Sequence, residues 1–184
     1  MLYLTKDLKI VLADYTTGIV KIGFGNIGIF DSKYDRTVIE FCDKSKIEFR
    51  GSASVGHGSK ISVQSNGELI LGKNFCITAN STIICTKKII FGTDCLLSWD
   101  ILIMDSDLHQ ISDNLNSVLN SPNPVIIGNH VWIGAKTTIL KGTEISEGCV
   151  VGANSLVSNV FKELNTLIAG VPSEVIKSNI SWKR

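Results

Sequence analysis

Residues 127–162 read IGNHVW, IGAKTT, ILKGTE, ISEGCV, VGANSL and VSNVFK, six units of six residues that each open on an aliphatic side chain. A small residue, often Gly, tends to follow, then polar positions. Earlier copies are VGHGSK, ISVQSN, LGKNFC, ITANST, FGTDCL and LSWDIL. Helix-period patterns are rare, and Pro occurs only three times. A hexapeptide period is the signature of a parallel β-helix, in which three units close one triangular coil of about 18 residues. The leading aliphatic residues then point inward and stack from coil to coil, and small residues fill the corners where a larger Cβ would clash. Ile127 is expected over Ile145, Ile133 over Val151, and Ile77 in line with Cys95. A β-sandwich with Gly-rich turns has no reason to keep this spacing.

Bulk composition fits this reading. The chain has 184 residues, is 44% hydrophobic and carries a formal net charge of +1. One domain with a real core is expected, and disorder is excluded. The absence of a Lys/Arg run excludes nucleic acid or an anionic membrane as the main partner. The N-terminus, MLYLTKDLKIVLADYTTG, is interrupted by Lys6, Asp7 and Lys9 and does not read as a signal peptide. No run is long enough for an integral membrane segment, so a cytoplasmic protein is expected. Five cysteines without a Cys-x-x-Cys pair read as reduced, mostly buried thiols.

Three zones follow: irregular N-terminal β coils over 1–50, the β-helix over 51–165, and a C-terminal cap over 166–184. Inside the helix, 110–124 (QISDNLNSVLNSPNP) lacks the period and reads as a projecting loop. Loops of that length in a compact repeat domain are usually functional.

The loop is entered through ILIMDSDLHQIS, residues 101–112, where Asp105, Asp107 and His109 stand on alternate positions. Extended backbone would put all three on one face. A His beside a carboxylate is the common arrangement for a general base, because the carboxylate fixes the tautomer and stabilises the imidazolium. The sequence leaves open which aspartate serves. Other motifs carry less. GFGNIG, residues 23–28, matches G-x-G-x-x-G, but no helical pattern follows and the glycines read as turns. His57, His109 and His130 are too widely spaced for a metal set, and no metal is expected; His57 and His130 fit ordinary polar positions of the repeat.

From MDSDLHQI through NPVIIGNHVWIGAKTTILKGTEISEGCVVGANSLVSNVFKELNTLIAGVPSEVI, the chain resembles the hexapeptide-repeat acyltransferases, in the sugar and polysaccharide O-acetyltransferase branch. The resemblance covers roughly 51–178 and is most specific over 99–177. It implies an all-β, single-stranded left-handed parallel β-helix that assembles as a homotrimer with active sites between subunits. It implies acetyl transfer from acetyl-CoA to a sugar hydroxyl, with a bacterial surface polysaccharide or its precursor as acceptor. By the same resemblance His109 is the catalytic base, with Asp105 or Asp107 behind it. Trp132 lies near the thioester, and the Gly134–Ala135 turn offers a backbone N–H to its carbonyl. Ala153, Asn154 and Ser158 follow the pantetheine arm, and Asn80 lies near the acceptor hydroxyls. One position departs: GVPSEVI carries Glu174 where relatives place a cation on the cofactor phosphates, leaving Lys177, or Lys162, for that role. Two other readings compete: an acetyltransferase for a small acceptor (free sugar, amino sugar, serine or antibiotic), and a non-catalytic β-helix scaffold.

Overall fold

Strands such as TIIC (Thr82–Cys85) and KIIF (Lys88–Phe91) bury every second side chain, as alternation in extended backbone dictates. Each is too short to form a core alone and pairs in parallel with its counterparts one coil away. The computed structural model describes residues 1–3, 7–25 and 34–184. Among these, strands form three sheets of seven, seven and eight strands, and successive strands step from one sheet to the next. The three sheets are the faces of a left-handed triangular β-helix.

Face 1 includes Lys60–Val63, Thr82–Cys85, Leu102–Met104 and Thr138–Ile139; face 2 includes Glu68–Leu71, Lys88–Phe91, Val125–Ile127 and Glu144–Ile145. Face 3 includes Val20–Phe24, Ala53–Gly56, Phe75–Ala79, Leu96–Trp99, Trp132–Ile133 and Val150–Val151. Each face contributes a column of inward side chains. They are Ile39, Ile61, Ile83, Ile103, Ile139 and Val157 on face 1; Phe49, Leu71, Phe91, Ile127, Ile145 and Phe161 on face 2; and Val55, Ile77, Leu97, Ile133, Val151 and Ile168 on face 3. None is more than 8% exposed.

The expected pairs Ile127–Ile145 and Ile133–Val151 are in register. The pairing of Ile77 with Cys95 is not: Ile77 pairs with Leu97. The reason is coil length. From Ile127 to Val157 most strands have two residues with one inward side chain, and the coil repeats every 18 residues. It tightens in the last turn, where Ile145 meets Phe161 and Val151 meets Ile168. Early coils instead use four-residue strands with two inward side chains, so Ile61 meets Ile83 and Ile83 meets Ile103. Cys95 instead fills the edge between faces 2 and 3, its thiol directed at the Gly128 carbonyl (3.2 Å) and pushed up to about 12 by burial. All five cysteines are free thiols.

Glycine at the edges answers to close backbone stacking more than to unusual torsion angles. A Cβ on Gly72 would sit 2.1 Å from the Gly92 carbonyl oxygen of the next coil. The left-handed residue of that edge comes two positions later, at Asn74, Asp94 and His130. In the GFGNIG stretch, Gly23 and Phe24 end a strand that pairs with Ala53–Gly56, and residues 26–28 lie outside the described residues. At the other end, Leu167–Gly170 turns back into Ser173–Lys177 as an antiparallel hairpin. Among the described residues no helix is long and apolar enough to cross a membrane.

Candidate active site

The strand Leu102–Met104 carries ILIMDSDLHQIS to the edge between faces 1 and 2, and there the expected alternation fails. Asp105 turns inward with no exposure. Its Oδ1 accepts the backbone N–H of Thr86 (2.7 Å), and its Oδ2 those of Lys87 (2.7 Å) and Lys88 (2.6 Å). The turn of the coil below would otherwise leave these donors unpaired, so the carboxylate holds two coils together. Asp105 is therefore not the partner of His109. Leu108, at φ 63°, breaks the extended run and separates the direction of His109 from that of Asp105.

Asp107 points outward and is also committed elsewhere. Its Oδ2 accepts from the Lys141 ammonium and from Asn120 Nδ2 (2.8 Å). Asn120 Nδ2 also donates to the His109 carbonyl (2.8 Å), its Oδ1 accepts the Ile111 N–H (2.7 Å), and Lys141 donates to the Asn120 carbonyl (3.0 Å). The neck of the loop is thus closed around His109 by one ion pair and one side-chain amide. The His109 imidazole makes no hydrogen bond among the described residues. It is exposed and opens into a hollow of about 250 Å³ shared with Thr86, Ser106, Gln110 and Val118.

The Lys141 hydrogen bond, and after it that of Asn120, holds the Asp107 carboxyl below its ordinary value of 3.8. The brace therefore persists as pH falls through the usual carboxylate range and is released only below it. Lys141→Ala is expected to raise the Asp107 pKa towards that ordinary value. A carboxyl titration followed by NMR measures this, and an unmoved Asp107 would show that Lys141 does not hold the brace.

The other candidates lie elsewhere on the prism. Gly134–Ala135 and Ala153–Asn154 stack on adjacent coils at the edge between faces 3 and 1, joined by Asn154 N–H to the Ala135 carbonyl (2.9 Å). Asn80 is on the same edge in a lower coil, its Nδ2 donating to Asp100 (2.6 Å). The Gly134 N–H is spent on Val151 O at 2.8 Å, which leaves the Ala135 N–H as the donor of that turn. Glycine at 134 serves packing: a Cβ would lie 2.7 Å from the Ala153 nitrogen. The Trp132 indole stands outward from face 3, 37% exposed, its N–H bonded to Ser98 Oγ (3.1 Å). Ser158 is exposed just past Leu156–Val157 on face 1, and Lys177 and Glu174 are exposed on the hairpin. One chain thus puts His109 and the Trp132–Ala135 group on different edges. Among the described residues no cluster of His, Cys, Asp or Glu could hold a metal.

Residues 124–159 match the family described as bacterial transferase hexapeptide (six repeats). A putative lipopolysaccharide biosynthesis O-acetyl transferase, WbbJ of Escherichia coli K12, is 32% identical over 140 residues, covering 71% of this chain and 71% of the relative. The chain belongs to the hexapeptide-repeat acyltransferases. Within that family it falls in the sugar and polysaccharide O-acetyltransferase branch. The polysialic acid O-acetyltransferase of Neisseria meningitidis is 43% identical over 98 residues, 53% of this chain and 46% of that protein. The crystal structure of the polysialic acid O-acetyltransferase OatWY superposes with a TM-score of 0.63 at 26% identity, covering 100% of this chain and 87% of that one.

Lys141 and Asn120 escaped the sequence reading because nothing local marks them: they reach Asp107 across the loop. Trp182 escaped it too. Its ring lies 6.0 Å from that of Trp132 and stacks on His130.

Proposed function

We propose that this acyltransferase moves acetyl from acetyl-CoA to a sugar hydroxyl of a bacterial surface polysaccharide or its precursor, working in the cytoplasm as a homotrimer. The observation that carries the proposal is the His109 imidazole: without a hydrogen-bond partner among the described residues, open to a hollow, and fixed through its backbone by Asn120 on a braced neck. A hydroxyl is a poor nucleophile at neutral pH and needs a positioned base. His109 takes the hydroxyl proton as the oxygen attacks the thioester carbonyl. The Ala135 N–H faces the developing oxyanion, in the manner of preorganised donors generally. Collapse breaks the C–S bond, and the imidazolium returns its proton to the departing CoA thiolate. Ala153, Asn154 and Ser158 guide the pantetheine arm, Lys177 meets the phosphates, and Asn80 contacts the acceptor. Asp107 acts on His109 only through the neck. Because Trp132 on face 3 and the Gly134–Ala135 turn beside it lie away from the edge that carries His109, a neighbouring subunit supplies the missing half of each site.

The relatives named as lipopolysaccharide and polysialic acid acetyltransferases support a glycan acceptor. Thiol release from acetyl-CoA, followed with polysaccharides, free sugars, amino sugars and serine in parallel, tests it. Release is expected with glycan acceptors. Release only with small acceptors would move the assignment to the second reading, and no release with any would leave a scaffold.

A further inference from the structure

After the hairpin the chain does not leave the prism. Ile180 N–H bonds the Asn165 carbonyl (2.9 Å), and the tail then descends the edge between faces 2 and 3. Trp182 latches it midway. Its indole N–H donates to the His130 carbonyl (3.0 Å), the His130 Nε2 meets the Trp182 carbonyl oxygen (3.2 Å), and the two rings stack at 4.2 Å and 9°. Arg184 ends the descent, donating to the Asn74 carbonyl at 3.4 Å. Among the described residues that one bond leaves most of the guanidinium's five N–H donors free.

Arg184 arrives at a hollow of about 310 Å³ on the outer side of face 3, lined also by Lys21, Ser52, Ser54, Asn74 and Cys76. The cationic side chains of Lys21 and Arg184 and two hydroxyls line it, and among the described residues no Asp or Glu side chain does. Strand register ties the hollow to Trp132. Lys21, Ser54, Cys76, Leu96 and Trp132 form one outward column, each paired with the next. Four strand spacings of about 4.8 Å make the column roughly 19 Å long. Indole faces stand at its top and positive charge at its base.

We infer that the C-terminal strap completes a binding groove for an acidic sugar chain along face 3. Aromatic faces at Trp132 and Trp182 suit the apolar face of a sugar ring. Ser52 and Ser54 suit its hydroxyls, and Lys21 with Arg184 suits a carboxylate or phosphate substituent. The cofactor candidates Ala135, Ala153, Asn154 and Lys177 lie at the coil of Trp132 or above it, so the hollow below is the acceptor's side. The inference rests on the proposed transfer reaction and specifies its acceptor.

Calorimetry with oligogalacturonate as acidic probe and maltooligosaccharide as neutral probe tests it on the full chain, without requiring turnover. The parent protein is expected to bind the acidic chain at least tenfold more tightly, with affinity falling as salt rises. The double variant Lys21→Gln/Arg184→Gln is expected to lose tenfold or more of that affinity, and Trp182→Ala, which frees the strap, a similar amount. Equal binding of the two probes, acidic binding indifferent to both variants, or a loss confined to coenzyme A would overturn it. A protein that acetylates sugars without regard to charge sinks this inference alone. One that binds oligogalacturonate but releases no thiol from acetyl-CoA sinks the transferase reading and leaves the groove.

Discussion

Asp105→Ala is expected to lower folding stability by about 3 kcal/mol or more, the largest loss from any single truncation at the loop neck. The carboxylate accepts three backbone N–H groups at 2.6–2.7 Å and has no exposure of its own. Hydrogen bonds to a charged acceptor contribute roughly 1.5–3 kcal/mol each, and stranding a buried donor costs about 1–3 kcal/mol. Partial access of water to the Thr86–Lys88 turn keeps the total below the simple sum. Asp105→Asn separates the terms. Its single oxygen can serve Lys87 and Lys88 through the Oδ2 position, but its NH2 group then opposes the Thr86 N–H, so an intermediate loss is expected. Urea denaturation measures both. An unfolding free energy for Asp105→Ala within about 1 kcal/mol of the parent would mean that the N–H groups are satisfied by water and that the carboxylate is not holding the coils together.

That role was hidden in the sequence for a definite reason. Alternate spacing of Asp105, Asp107 and His109 reads as one face only while the backbone stays extended, but the strand ends at Met104, the chain bends at Asp105, and Leu108 then turns left-handed at φ 63°. Those two departures gave three neighbouring side chains three different tasks: coil closure, loop bracing and an open imidazole. The core was far more legible. Over 127–157 the hexapeptide period sets the register directly, because each leading aliphatic residue is the inward side chain of its strand. The same period misplaced Cys95, because the earlier four-residue strands lengthen the coil to 20 or 22 residues and carry the repeat out of phase. Partners brought in by chain reversal left no signal at all. Lys141 reaches Asp107 across 34 residues, and Trp182 reaches His130 across 52, so neither pair belongs to any local pattern.

His109→Ala is expected to reduce acetyl transfer by roughly 10²- to 10⁴-fold, the usual contribution of a positioned general base, with no change in thermal stability. Folding should be indifferent, because the ring makes no hydrogen bond among the described residues and stands in solvent. A drop in melting temperature parallel to the lost activity would instead make His109 a structural residue. The placement of Trp132 turns this variant into a sharper experiment. If each site takes His109 from one subunit and the Trp132–Ala135 edge from its neighbour, Trp132→Ala chains are also impaired, but for the opposite half. Co-expressing the two variants then assembles some interfaces in which an intact His109 faces an intact Trp132. Random head-to-tail assembly around a ring restores about a quarter of the sites. Thiol release from the co-purified mixture measures the recovery against each variant alone. A mixture no more active than its parts, despite confirmed mixed oligomers, would place the whole site within one chain and remove the neighbouring subunit from the mechanism.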